Sequence, residues 1–80
     1  NPATEKIYID FKQTKISGVQ LLVYDAVGRL IVQKSSITIV NKEPYILPID
    51  QLSQGVYTLK IIANDNKNKV EGEFKIQKIN

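Results

Sequence analysis

The chain contains no cysteine, histidine, methionine or tryptophan. Without cysteine there is no disulfide to staple a small fold and no thiolate to hold structural zinc. The compartment stays open, because many exported proteins also lack the residue. Without histidine the commonest metal ligand is missing, as is the side chain that titrates nearest neutral pH. Ser35, Ser36 and Ser53 therefore have no imidazole to activate them. No apolar run approaches the ~20 residues of a membrane-spanning helix, and no stretch has the layout of a signal peptide. Lysine and arginine number 11 against 8 acidic residues, a net charge of +3. No basic run and no aromatic–basic interleaving accompanies that charge, which excludes a nucleic-acid footprint.

Eighty residues suffice for one core, and a chain this short buries only roughly 60–65% of its unfolded surface. The expected domain is a single unit spanning residues 1–80. Its opening Asn1-Pro2-Ala3, with no initiator methionine, reads as a piece excised from a longer protein.

What is present is mostly Ile, Val, Leu and Tyr, which favour strands. Residues 6–12 alternate, with Ile7, Ile9 and Phe11 on one face and Tyr8 and Asp10 on the other. Residues 13–18 are polar and end at Gly18, a turn signal. Residues 19–25 carry apolar side chains on both faces, which predicts a mid-sheet strand partly covered on both sides. Asp25-Ala26-Val27-Gly28-Arg29 makes a tight connection, with Asp25 accepting turn amides and Gly28 supplying a left-handed position. Residues 30–34 return as the hairpin partner, and a separate short strand follows through Ile37, Ile39 and Val40. In residues 45–50, Pro48 interrupts the apolar run and belongs on an edge or at a bulge.

The segment around which the chain is organised is residues 49–61. Leu52, Ser53, Gln54 and Gly55 form a turn that feeds a strand from Val56, with Tyr57, Leu59 and Ile61 on one face. Residues 64–68 are a polar hairpin tip, and residues 69–77 form the last strand, with Val70, Gly72, Phe74 and Ile76 sharing a face. Ile79 falls off that parity, as at a bulge or a frayed end. Six to seven short strands and no helical periodicity predict an all-β fold. The first choice is a small antiparallel β-sandwich, Ig-like or fibronectin-III-like, and a small barrel is second.

Candidates for chemistry are sparse. Asp10, Asp25, Asp65, Glu71 and Glu73 sit singly at turns or among lysines rather than in acid–base pairs. Asp25 with Asp50 lacks the dense oxygen spacing of a calcium loop. Tyr8, Tyr24 and Tyr45 are the residues a sugar-stacking platform would use, but tyrosine is also an ordinary strand residue. The chain reads as no enzyme, with no metal, cofactor or small-molecule substrate.

Three ordered segments carry a resemblance. The opening Asn1-Pro2-Ala3-Thr4 precedes a strand around Ile7. Val23-Tyr24-Asp25-Ala26-Val27-Gly28-Arg29-Leu30-Ile31 forms the first motif, and Ile49-Asp50-Gln51-Leu52-Ser53-Gln54-Gly55-Val56-Tyr57 the second. Together with a final strand through Lys75-Ile76-Gln77-Lys78, they resemble the type A C-terminal sorting domain of the type IX (Por) secretion system of Bacteroidetes. Glu73 stands where that family often has a basic residue, and Ile79 and Asn80 extend past Lys78. The resemblance implies a folded label at the end of a passenger that has crossed the inner membrane. An outer-membrane translocon or shuttle protein recognises the label in the periplasm, and a sortase-like peptidase then removes it as the passenger reaches the cell surface or medium. It also implies roles. Asp25, Gly28, Leu52, Gly55 and Tyr57 serve mainly the fold, and Arg29, Lys75 and Lys78 make contact, since no core needs their charge. A strand edge offers a route to a partner strand or a homodimer. The second reading is an Ig-like accessory or carbohydrate-binding module of a secreted enzyme, because Leu52, Gly55 and Tyr57 resemble the corner of such domains.

Overall fold

Val19, Leu21 and Val23 recur at period two in the most apolar segment, and all three are at most 1% exposed. They line the centre of a two-layer β-sandwich in a computed structural model that describes residues 2–3, 5–11, 15–40, 42–65 and 68–79. The strands are β1 (Pro2–Ala3), β2 (Lys6–Ile9), β3 (Lys15–Tyr24), β4 (Leu30–Val40), β5 (Tyr45–Pro48), β6 (Gly55–Asp65) and β7 (Asn68–Lys78). One sheet has five strands in the order β1-β7-β6-β3-β4, and the other pairs β2 with β5. All pairings are antiparallel except that of β1, which runs parallel to β7.

The core lies between the sheets. Ile16, Val19, Leu21 and Val23 of β3 meet Tyr57, Leu59 and Ala63 of β6, Ile39 of β4 and Ile76 of β7. The small sheet contributes Ile9 and Leu47, and Ile49 follows it. The small sheet's own ladder is prolonged by the Ile49 amide, which donates to the Glu5 carbonyl at 2.8 Å, one pair beyond Lys6 and Pro48.

Several expectations shift. The first strand ends at Ile9 rather than at residue 12, although Phe11 still packs against the core. Residues 15–18 belong to β3 and not to a turn, and Gly18, with φ 67°, lies where the β3–β4 register slips between Ile16 and Val19. A left-handed glycine serves a bulge as readily as a turn. The separate short strand after residue 34 is the continuation of β4. The join is a second irregularity, at Ser36, whose φ is 58°. Pro48 closes β5 in the two-stranded sheet, the marginal position expected of it. Residues 66–67 of the hairpin tip lie outside the described residues, but Asp65 pairs with Asn68 across it. β7 ends at Lys78, and Ile79 is exposed beyond it.

The covering layer is narrow. Phe74 pairs with Leu59 on the core-facing side, yet Leu59 is 2% exposed and Phe74 50%. On the opposite face of the large sheet, Leu22 is nonetheless buried between its cross-strand neighbours Gln33 and Lys60.

Candidate functional site

Residues 25–29 connect β3 to β4, and Asp25 organises the turn. Its Oδ1 accepts the amides of Val27 at 3.1 Å and Arg29 at 2.9 Å, and its Oδ2 accepts Arg29 Nε at 2.8 Å. The backbone closes in parallel. The Gly28 amide donates to the Asp25 carbonyl at 3.0 Å, and the Asp25 amide donates to the Arg29 carbonyl at 2.9 Å. The Arg29 amide is the main reason the Asp25 carboxyl is held below its usual range. The Arg29 guanidinium and the Val27 amide add to this, against a desolvation that acts the other way. Gly28 takes φ 90° with open space where a side chain would begin, so conformation and not crowding requires glycine there. The Arg29 side chain remains 79% exposed while Asp25 is 15% exposed. The turn therefore holds a cation out into solvent on a fixed stem.

The second turn precedes β6. The Leu52 amide donates to the Ile49 carbonyl at 3.0 Å, and the Leu52 side chain packs against the core. Gly55, with φ 156°, starts the strand in a conformation side chains rarely adopt. Tyr57 enters the core at 8% exposure, and its hydroxyl donates to the Ser53 carbonyl at 2.5 Å. That bond reaches four residues upstream and ties the strand to its own turn, as in the tyrosine corner of Ig-like sandwiches.

The sandwich brings these two turns side by side. Between them lies an open groove of about 480 Å³, lined on one wall by Asp25, Ala26, Val27, Arg29 and Ile31. Gln51, Leu52, Ser53, Gln54, Gly55, Val56 and Tyr57 form the other wall. Of the residues singled out in the sequence, Asp25, Arg29, Leu52, Gly55 and Tyr57 thus share one place, and Gly28 supports it from within the first turn. Sequence reasoning misses Val27, Ile31 and Val56, yet they are the exposed apolar groups of the groove, at 77%, 40% and 50%. For Ile31 and Val56 the sequence signal is an apolar side chain out of step with the inward-facing Val32 and Tyr57, and Val27 lies in the turn, where no such alternation applies.

The two lysines do not join them. Lys75 lies on β7, where its Nζ donates to Thr58 Oγ1 at 2.9 Å. Lys78 corrects an expectation. The sequence makes it a contact candidate, but it is 5% exposed, and among the described residues its Nζ donates to the carbonyl of Ile79, at 3.4 Å. The reason is position, because Lys78 is flanked by Gly55 of β6 and Ala3 of β1.

The other candidates disperse. Tyr8 is exposed on the small sheet, Tyr45 packs inward against the core, and Tyr24 is half-buried at the end of β3, so the three do not share a stacking platform. Asp25 has both oxygens committed to its turn. Among the described residues, no group of three acidic side chains converges as a cation site.

Comparison with curated proteins and with solved structures returns no match. Residues 1–76 match the family described as Secretion system C-terminal sorting domain. Its members are signal domains rather than enzymes, and they direct export across the outer membrane to the cell surface or medium. The opening segment, the Asp25–Arg29 turn, the Leu52–Tyr57 corner and a family match over nearly all of its length lead to one conclusion: the chain belongs to the C-terminal sorting domains of type IX secretion.

Proposed function

We propose that the groove between the two turns is the face by which the type IX machinery reads this domain. The observation that supports the reading is the convergence of both family motifs on one open surface. There a rigidly held Arg29 stands beside exposed Val27, Ile31 and Val56. An apolar centre with a pre-oriented arginine is the composition of protein-recognition hot spots. In this reading the domain ends a longer secreted polypeptide and folds in the periplasm. It then presents the groove to an outer-membrane translocon or shuttle protein, and a sortase-like peptidase separates it from its passenger upstream of Asn1. Gly28, Leu52 and Tyr57 hold the two walls in place, and Lys75 is a secondary contact on the neighbouring strand.

The test fuses residues 1–80 to a fluorescent reporter with an inner-membrane export signal in a type IX-competent bacterium. Surface delivery is expected, as is its loss in Arg29→Glu, whose exposed side chain leaves the core intact. Reporter held in the periplasm by the folded wild-type domain overturns the sorting reading. Full delivery of the Arg29→Glu form removes the groove from it.

A further inference from the structure

β1 lies at the edge of the large sheet and covers only the end of β7. Pro2 lies opposite Gln77 and Ala3 opposite Lys78, parallel, a constant offset of 75 residues (77 − 2 = 78 − 3). Among the described residues β1 pairs with no other strand, and nothing else pairs with that side of β7. From Asn68 to Lys75, β7 thus has no partner on that side among the described residues and presents an open edge. Burial follows the same division. On the core-facing side of β7, Lys78 beside β1 and its neighbour Ile76 are 5% and 4% exposed, but Phe74 is 50% exposed. Phe74 sits opposite a fully enclosed Leu59, and its ring leans over Gly72, where an added Cβ would fall 3.2 Å from it. An open edge with an exposed aromatic on its inner face is an acceptor for strand addition.

We infer that the open edge of β7 receives the passenger-side linker of the same polypeptide, which prolongs β1 backward in parallel register and covers Phe74. The direction is fixed by β1. Followed upstream at the same offset, the chain runs from Lys78 towards Asn68, so the second residue before Asn1 comes opposite Phe74. A foreign strand or a second copy would have to avoid a chain that is already aimed along that edge. The linker that fits is extended, without proline where it must donate, and apolar at the residues that alternate onto the Phe74 side. The inference rests on the reading that a passenger precedes the domain, and it adds where the junction lies. The junction would be held as a strand on the label rather than hanging free.

The domain contains no cysteine, which makes the register readable by cross-linking. In the natural precursor, with passenger cysteines replaced by serine, Phe74→Cys is combined with one cysteine placed in turn at each of the five residues before Asn1. Mild oxidation is expected to join the thiol introduced by Phe74→Cys to the second upstream position within one chain. The yield there should be about tenfold higher than at the immediate neighbours, as the narrow Cα separation of a disulfide demands. A bond between two copies through the Phe74→Cys thiols overturns the inference in favour of a dimer edge, and equal yields at all positions overturn it in favour of a free linker. A second measurement leaves Phe74 in place. Backbone amides of residues 69–75 should exchange more slowly in the precursor than in the isolated domain, by about tenfold or more on the side facing away from β6. Unchanged exchange refutes the inference. Surface delivery is scored separately, so a cross-link without export fails the sorting reading alone, and export without a cross-link fails this inference alone.

Discussion

Tyr57 joins two contributions that substitution can separate. Its ring lies in the core at 8% exposure, and its hydroxyl donates to the Ser53 carbonyl at 2.5 Å. Tyr57→Phe keeps the ring and deletes the hydrogen bond, which costs about 0.5–1.5 kcal/mol, since the exposed Ser53 backbone can turn to water. Tyr57→Ala removes the ring as well and leaves a hole beside Leu59 and Ile76, costing about 3–5 kcal/mol. An 80-residue domain has a total stability of roughly 4–12 kcal/mol at typical values per residue. The first change should therefore leave a folded protein, and the second should leave one that is marginal. At about 4–8 °C per kcal/mol for a domain of this size, Tyr57→Phe lowers the melting temperature by roughly 2–12 °C. The assay is thermal and urea denaturation followed by circular dichroism, with the urea slope checked for constancy between variants. An unchanged midpoint in Tyr57→Ala would show that the ring is not core. A Tyr57→Phe loss equal to that of Tyr57→Ala would show that the corner hydrogen bond, and not ring burial, holds this end of the sandwich.

Gly28→Ala forces a side chain into φ 90° with nothing to gain, so it should cost about 1–2 kcal/mol. A melting temperature equal to the wild type's refutes the strain argument. The Asp25 carboxyl is held below its unfolded value of about 3.9, so its contribution is present above that pH and is lost as pH falls through the lower folded value. The stability gap between wild type and Asp25→Asn should therefore be constant near neutrality and shrink on acidification below about pH 4. A gap unchanged down to about pH 2 refutes the assignment. Ile31→Ser and Val56→Ser remove exposed groove side chains, and each should alter stability by no more than about 0.5 kcal/mol while lowering surface delivery of a fused reporter. Normal delivery by the double variant sinks the groove as a reading surface.

The architecture was legible wherever one face is buried and the other is not. Val19, Leu21 and Val23 on β3 and Tyr57, Leu59 and Ala63 on β6 alternate in the sequence as they do in the sheet. The turn at Asp25 was legible because its geometry is local, an acidic side chain capping amides two and four residues on. The bulges at Gly18 and Ser36 were not. A left-handed residue in a polar stretch looks the same whether the chain reverses or only slips register, and the partner strand decides which. The exposure of Phe74 and the burial of Lys78 escaped for the same kind of reason. Parity assigns both to the inner face, but only the width of the covering sheet and the arrival of β1 decide what is actually enclosed.

That division explains why the conspicuous motif residues report folding before they report contact. Gly28, Leu52, Gly55 and Tyr57 stand out in the sequence because backbone conformation and core packing constrain them tightly, and such positions report folding. The groove they build is finished by Val27, Ile31 and Val56, whose only local requirement is to be compatible with a strand or a turn. Substitutions at the conspicuous residues lower export by destabilising the fold, whichever surface the machinery reads. Those at the inconspicuous ones leave the frame standing and so can distinguish recognition from stability. Arg29 belongs to both groups, because its amide caps the turn while its guanidinium stays in solvent. Arg29→Lys preserves the amide and the charge but loses the fixed Nε bond to Asp25. If the orientation of the cation matters and not merely its presence, that variant should keep most of its stability and still deliver less reporter. Delivery equal to wild type would reduce Arg29 to a general positive charge.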